Sequence, residues 1–413
     1  MMRWLMIYVS RTMIAVLLSA LGFGQEPTSP APSYRFSSDG SSRDIPVELV
    51  ANGLVFVRAN VNGHPGWFIL DNASQGFTVD RDYARRISLK NSGVARARGG
   101  GAKAIEAGVV RDVQISLPGL ELTHRNLVAI ELKPLEPSVG HEVDGIIGSR
   151  LFDEFVVVVD YERRLLSIFL PQEHRVARNA TALPVRIDQH GFQFVDARIA
   201  LPGIEPIAAS FLVDGGANTY ADLYKPFSDA HRIPPPGMKL LDEPGSSTGG
   251  TTQSRAGRAD RIDVGPYSVQ NPTLMFAEDT EGLMAAEDYA GLIGTEFLER
   301  FTVTFDTPGK RLWLTPNRNY GEAVESDASG LRIRAEGSDF HRFVVSRIVS
   351  GSPAAEAGIE PGDVVELIDD ESAQKISLSE LRAMFCKSKA RYSIGLLRTN
   401  RRFRVALQLR PLF

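Results

Sequence analysis

Trp67-Phe68-Ile69-Leu70-Asp71-Asn72-Ala73-Ser74 decides how this chain is read, because Ser210-Phe211-Leu212-Val213-Asp214-Gly215-Gly216-Ala217 repeats its grammar. In each stretch an apolar run shaped like a buried strand ends in one aspartate, and small, turn-permitting residues follow. An ionised carboxylate at the end of a buried strand is costly unless something pairs with it or solvates it. A single such residue would read as a turn or cap aspartate. Two, in matched positions of two similar halves, read as carboxylates built to meet.

The order of features around each aspartate also repeats. A glycine-rich stretch follows in both halves, Gly99-Gly100-Gly101 in the first and Gly245-Ser246-Ser247-Thr248-Gly249-Gly250 in the second. Both halves close on a glycine, two apolar residues, a glycine, a short helix and a strand: Gly145-Ile146-Ile147-Gly148 to Asp160, and Gly291-Leu292-Ile293-Gly294 to Asp306. Asp71 precedes Gly145 by 74 residues and Asp214 precedes Gly291 by 77 (145 − 71; 291 − 214). Such agreement predicts an internal duplication, with two lobes about an approximate two-fold axis. The glycine-rich stretch of the first half lacks the Lys-Ser/Thr of a phosphate loop and no helix opens after it, so a mobile hairpin is expected there.

Composition sets the class. The 413 residues suit two or three domains, and 43% hydrophobic with 23% charged residues is ordinary for a globular protein. With 37 glycines and 24 prolines a turn-rich, mostly β chain is expected. The formal charge of −4 offers no broad attraction to nucleic acid. One cysteine, Cys386, excludes an internal disulfide framework and a multi-cysteine metal site, and the seven histidines show no metal-binding spacing. No metal and no cofactor is expected.

Residues 1–24 read as a cleaved export signal. Arg3 and Arg11 supply charge, 13–18 form an apolar run too short to span a bilayer, and Gly22 and Gly24 suit a cleavage site. Export to the periplasm or cell envelope of a bacterium is the resulting expectation. Residues 25–44, rich in Pro, Ser and Gly, read as a linker. The two lobes are placed at 45–174 and 183–318, with 175–183 between them.

The chain changes grammar near residue 328. Ser352-Pro353 opens a short helix that Gly358 stops, and Pro361-Gly362-Asp363 turns into an apolar strand. Ser377 and Glu380 form a capping box for a helix running to about Lys387, and two strands end the chain.

These motifs carry two resemblances. The halves over roughly 45–318 resemble the lobes of retropepsin-like and pepsin-like aspartic proteases, whose pattern is Asp-Thr/Ser-Gly-Ala/Ser after an apolar strand and two apolar residues before a glycine later in the lobe. Ile146-Ile147-Gly148 and Leu292-Ile293-Gly294 match the second element. Gly351-Ser352-Pro353-Ala354-Ala355-Glu356-Ala357-Gly358-Ile359 and Pro361-Gly362-Asp363 resemble the PDZ signature of bacterial envelope proteases, which places a small α+β PDZ domain at 328–413. The implied fold is mostly β: two duplicated pepsin/retropepsin-like β-barrel lobes followed by the PDZ domain.

The resemblance implies an exported aspartic endopeptidase with Asp71 and Asp214 as its acid/base pair, supported by Asn72, Ala73, Ser74, Gly215, Gly216 and Ala217. It places flap-like hairpins near 99–108 and 245–252. It also implies a peptide groove on the PDZ domain formed by Gly330, Leu331, Arg332, Ile333, Leu381 and Phe385, so that a peptide or protein substrate and a peptide ligand are the expected partners. The first element departs from the family: Asn72 and Gly215 stand where hydroxyl residues would bond across the lobes, and Ala73 stands where glycine is usual. A catalytically weak or silent peptide-binding protein on the same scaffold is therefore the alternative reading.

Overall fold

The structure, a computed structural model, describes residues 11–13, 16–19, 31–101 and 103–413. Most of the segment read as an export signal lies outside the described residues.

In the first lobe Ser41–Val50, Leu54–Val61 and His64–Leu70 form an antiparallel meander. Asn52 and Gly53 make its first turn at φ 61° and 93°, a left-handed geometry that the Asn-Gly pair tolerates. The key insertion is Gly145–Ile147, which lies parallel to His64–Leu70 on one side and antiparallel to Phe77–Asp80 on the other. Leu120–Ile130 then runs parallel to Phe77–Asp80. The second lobe repeats this arrangement. Gly291–Ile293 lies between Ile207–Val213 and Ala221–Leu223, and Thr273–Ala277 runs parallel to the latter.

The lobes share a run of six adjacent strands that continues into the sheet of the first lobe, ordered Thr181–Pro184, Arg311–Pro316, Phe301–Asp306, Val156–Asp160, Leu165–Phe169 and Ser41–Val50. At its centre Val158 faces Thr304, each two residues before the closing aspartate of its lobe. A strand facing its own repeat counterpart marks a local two-fold axis. Phe155, Val157, Phe301 and Val303 are fully buried along this seam. Each such side chain contributes roughly 1.5–3 kcal/mol on leaving water, which holds the lobes together as one body.

Two segments read as linkers do more than connect. Ser33–Phe36 pairs with Leu120–Ile130, and the sheet strand beginning at Ser41 starts before residue 45. Likewise Thr181–Pro184 is an edge strand of the shared sheet. Few large apolar side chains mark either segment, and edge strands need only backbone pairing, so the side-chain pattern did not reveal them.

A lobe-to-lobe contact also fixes the seam from the side. The Asn52 turn of the first lobe donates its side-chain amide to Glu296 (2.7 Å), and its carbonyl accepts from the Thr295 hydroxyl (2.6 Å) of the second. Glu299 lies beside this turn, and burial, reinforced by Glu296, pushes its carboxyl up to about 8. A carboxyl raised in the folded state favours folding below its unfolded value and loses that advantage as pH climbs toward 8. Glu299→Gln is thus expected to stabilise the chain at pH 7 by roughly 1–3 kcal/mol. The Tm gain over wild type should grow between pH 5 and 8 and vanish near pH 4; a gain independent of pH would contradict this.

Residues 331–408 form the last domain around a six-stranded sheet with Leu331–Glu336 at one edge. The expected caps are present. Ser352 accepts from the Ala355 amide ahead of Pro353, and Ser377 and Glu380 complete the capping box of helix Leu378–Cys386.

Candidate active site

Each aspartate is delivered by a strand and locked from beneath by the later glycine element. The Asp71 amide donates to the Ile147 carbonyl (3.0 Å) and the Asp214 amide to the Ile293 carbonyl (2.9 Å). Ser149 N–H donates to Ser74 C=O and Thr295 N–H to Ala217 C=O, both at 2.7 Å. The glycines of these elements are needed for close approach. A Cβ on Gly148 would lie 2.2 Å from the Ser74 oxygen, and one on Gly294 would lie 2.3 Å from that of Ala217.

The two strands bring Asp71 and Asp214 together, fully buried and close enough for each to shift the other's proton affinity, with Asp71 Oδ2 packed against Gly216 of the opposite turn. Their surroundings match in detail. The Ala73 amide donates to Asp71 Oδ1 (2.9 Å), and the Gly216 amide donates to Asp214 Oδ1 (2.7 Å). Neither Oδ2 accepts from a protein donor among the described residues. Burial holds both carboxyls above the usual range. At Asp71 the neighbouring Asp214 adds to this, and at Asp214 the charge of Asp222 does. Two carboxyls this close cannot both ionise readily, so one proton is shared and titrates with the pair.

Asn72 replaces both missing hydroxyls. Its side-chain amide donates to the Val213 carbonyl (2.6 Å), and its Oδ1 accepts the Gly215 amide (2.8 Å). One residue of the first lobe therefore makes both cross-lobe bonds, and Gly215 contributes only backbone. Ala73, standing where glycine is usual in the family pattern, does not adopt a left-handed backbone. Its buried methyl group packs in an apolar cluster with Phe194, Leu212 and Ala217 of the second lobe.

Gly216 cannot be exchanged in the same way, since a Cβ there would lie 2.3 Å from Asp71 Oδ2. Gly216→Ala is expected to push the carboxyls apart and destabilise the fold by about 1–3 kcal/mol, the usual scale of overpacking. Equilibrium denaturation of the purified variant checks this, and an unchanged midpoint would contradict the close approach.

Two hairpins form where the glycine-rich stretches predict them. Gly93–Gly99 pairs with Ile105–Leu117 in the first lobe, and Gly245–Ser247 with Gly250–Thr252 in the second. Their tips meet: Gly101 N–H donates to Thr248 C=O (3.2 Å) and Lys103 N–H to Gly249 C=O (3.3 Å). The chain's own N-terminal strands lie against both. Arg11–Met13 runs parallel to Gly245–Ser247, and Val16–Ser19 antiparallel to Gly93–Gly99.

Sequence reasoning missed Asp222, Tyr224 and Tyr289. Asp222 pairs with Leu292 as Thr78 pairs with Ile146, so it is the second-lobe counterpart of a threonine. Aligning the repeats beyond the first element would have exposed this asymmetry. Tyr224 and Tyr289 lie with ring centroids 5.5 Å apart, tilted 53° to each other near Asp214, and burial raises both phenols.

Of the residues expected to form a PDZ groove, Leu331, Arg332, Ile333 and Phe385 line a cavity of about 120 Å³ shared with the lobes. Gly330 sits in the preceding loop at φ 78°. Leu381 is instead fully buried in the domain core, because its helix turns that position inward. Cys386 lines the same cavity, and burial pushes its thiol up to about 12, which leaves it unreactive.

A duplicated β scaffold with paired buried aspartates, joined to a PDZ-like domain, is similar to the architecture of aspartyl proteases that carry a C-terminal PDZ domain. Residues 57–151 match the family model for an aspartyl protease, and residues 344–385 match that for a PDZ domain. No curated protein matches the chain. Both matched domains are of kinds that bind peptide or protein.

Proposed function

We propose that the chain is an exported aspartic endopeptidase in which Asp71 and Asp214 activate water. The single observation that carries this reading is the juxtaposition of two fully buried, mutually interacting carboxyls, each accepting one backbone amide, at the seam of matched lobes. The ionised partner takes a proton from water as the water oxygen attacks the peptide carbonyl carbon. The protonated partner gives its proton to the carbonyl oxygen. The tetrahedral species then breaks its C–N bond, the amine leaves with a proton, and the pair returns to its one-proton state.

Pairing of the chain's own strands with both hairpins supports an extended substrate, recognised through its backbone. Arg3, Arg11 and the apolar run over 13–18 support export. Sequencing the N-terminus of the chain recovered from a bacterial envelope fraction should return Gln25 as the first residue; an intact Met1 would refute cleavage there.

A pepstatin thermal-shift assay run beside a quenched fluorogenic peptide library from pH 4 to 8 tests the function. Stabilisation together with cleavage supports the endopeptidase. Stabilisation without cleavage would establish the silent binding protein, which the loss of both family hydroxyls favours. Neither response would refute both readings.

A further inference from the structure

The edge by which a PDZ domain takes a peptide faces inward in this chain. A ligand would add as a strand along Leu331–Glu336, beside helix Leu378–Cys386. Here the short first-lobe helix Glu136–Val139 packs against that edge strand. Arg382 bridges the two: its guanidinium donates to the Ser138 carbonyl of the first lobe (2.8 Å) and to the Ile333 carbonyl of the edge strand (2.8 Å). An incoming strand would need that edge carbonyl for its own ladder. The Ser379 hydroxyl accepts the Ala51 amide (2.9 Å), a second tie to the first lobe.

The loop before the edge strand is held from the second lobe. Arg332 donates from Nε to both Glu243 oxygens (2.7 and 3.0 Å) and from Nη1 to Asp327 (2.6 Å). Asp327 also accepts the Ser329 and Gly330 amides. Arg347 reaches the Asp242 carbonyl. Asp242 and Glu243 stand at the foot of the second-lobe hairpin Gly245–Thr252, whose tip meets that of the first lobe, and the Glu243 amide is tied to the Ser254 carbonyl. Glu243 is only 3% exposed, so its pairing with Arg332 is desolvated rather than a surface contact.

We infer that peptide binding by the PDZ domain and its docking on the lobes are mutually exclusive, so that the domain is a ligand-released latch on the second-lobe hairpin. The ligand is an extended peptide with a free terminal carboxylate. That carboxylate replaces Glu243 on Arg332 while the peptide backbone replaces Arg382 and Glu136–Val139 on the edge strand. Docking lowers the apparent affinity by the fraction of time the edge is open. By the same linkage, bound peptide frees the foot of the hairpin. The inference concerns binding and stands apart from whether the aspartates hydrolyse peptide.

The experiment uses the full chain carrying Asp71→Asn, so that no probe is cleaved, with and without Glu243→Lys. Both proteins are panned against a phage library displaying random peptides with free C-termini, and the strongest peptide is synthesised with an N-terminal fluorophore. The Glu243→Lys protein should bind it at least tenfold more tightly than its parent, and amidating the peptide's C-terminus should abolish binding. Saturating peptide added to the parent should slow amide hydrogen exchange over 331–336 and speed it over 240–252. Arg382→Met opens the groove from the other side and is run in parallel, in case the charge reversal impairs folding. Equal affinity in latched and opened proteins overturns the inference. So does failure of the opened proteins to enrich any peptide, or protection appearing over 93–107 in place of 331–336.

Discussion

Asp71→Asn is expected to lower kcat/KM by at least ~10³-fold, with Asp214→Asn equally affected, because the two carboxyls act as one unit. The amide can neither take the proton from water nor share one with its partner. The pH profile follows from the direction of the shifts. Burial raises both carboxyls, so the one-proton state, and with it activity, is displaced to higher pH than for an ordinary carboxyl pair and is lost on the alkaline side. Stability has a related sign. A pair whose folded-state proton affinity exceeds the unfolded one stabilises the fold below the ordinary carboxylate range, and that contribution fades as pH rises. Asp71→Asn should therefore gain Tm relative to wild type as pH increases while losing activity throughout. Retained hydrolysis would refute the proposed role. A Tm difference that fell with pH would refute the shared proton.

The second large effect concerns Asn72. Replacing it with Ala leaves the buried Val213 carbonyl and Gly215 amide without their cross-lobe partner. Each such loss costs about 1–3 kcal/mol, so a total near 2–5 kcal/mol is expected. Activity should fall further than stability alone explains, by about 10²-fold, because the lobes no longer hold the carboxyls in register. Asn72→Thr restores a hydroxyl that can donate to one group and accept from the other, and it should recover part of both losses. Chemical denaturation and kcat/KM on the same preparations check this. An unchanged midpoint in Asn72→Ala would show that the strap contributes nothing.

Much of this was legible in the residues. The apolar runs ending in Asp71 and Asp214, and the glycine elements after Ile147 and Ile293, are local patterns repeated at matching distances, and a repeat constrains topology strongly. The capping residues Ser352, Ser377 and Glu380 state their helix starts directly. Edge strands such as Ser33–Phe36 were not legible, since pairing through backbone alone leaves little trace in side-chain pattern. Leu381 illustrates a further limit: an apolar residue on a short helix fits core and groove equally well until the helix is oriented.

The sequence by itself determined that there are two lobes, where each aspartate ends its strand and that a PDZ-like domain follows, because these depend on local periodicity, turn chemistry and repetition. Only the tertiary structure decided that Asn72 straps the two aspartate turns together across the lobes, that Asp222 charges one side of the pair and that the PDZ edge is closed by the lobes. Those features depend on residues far apart in the chain meeting at buried seams, where desolvation and close approach set the energies.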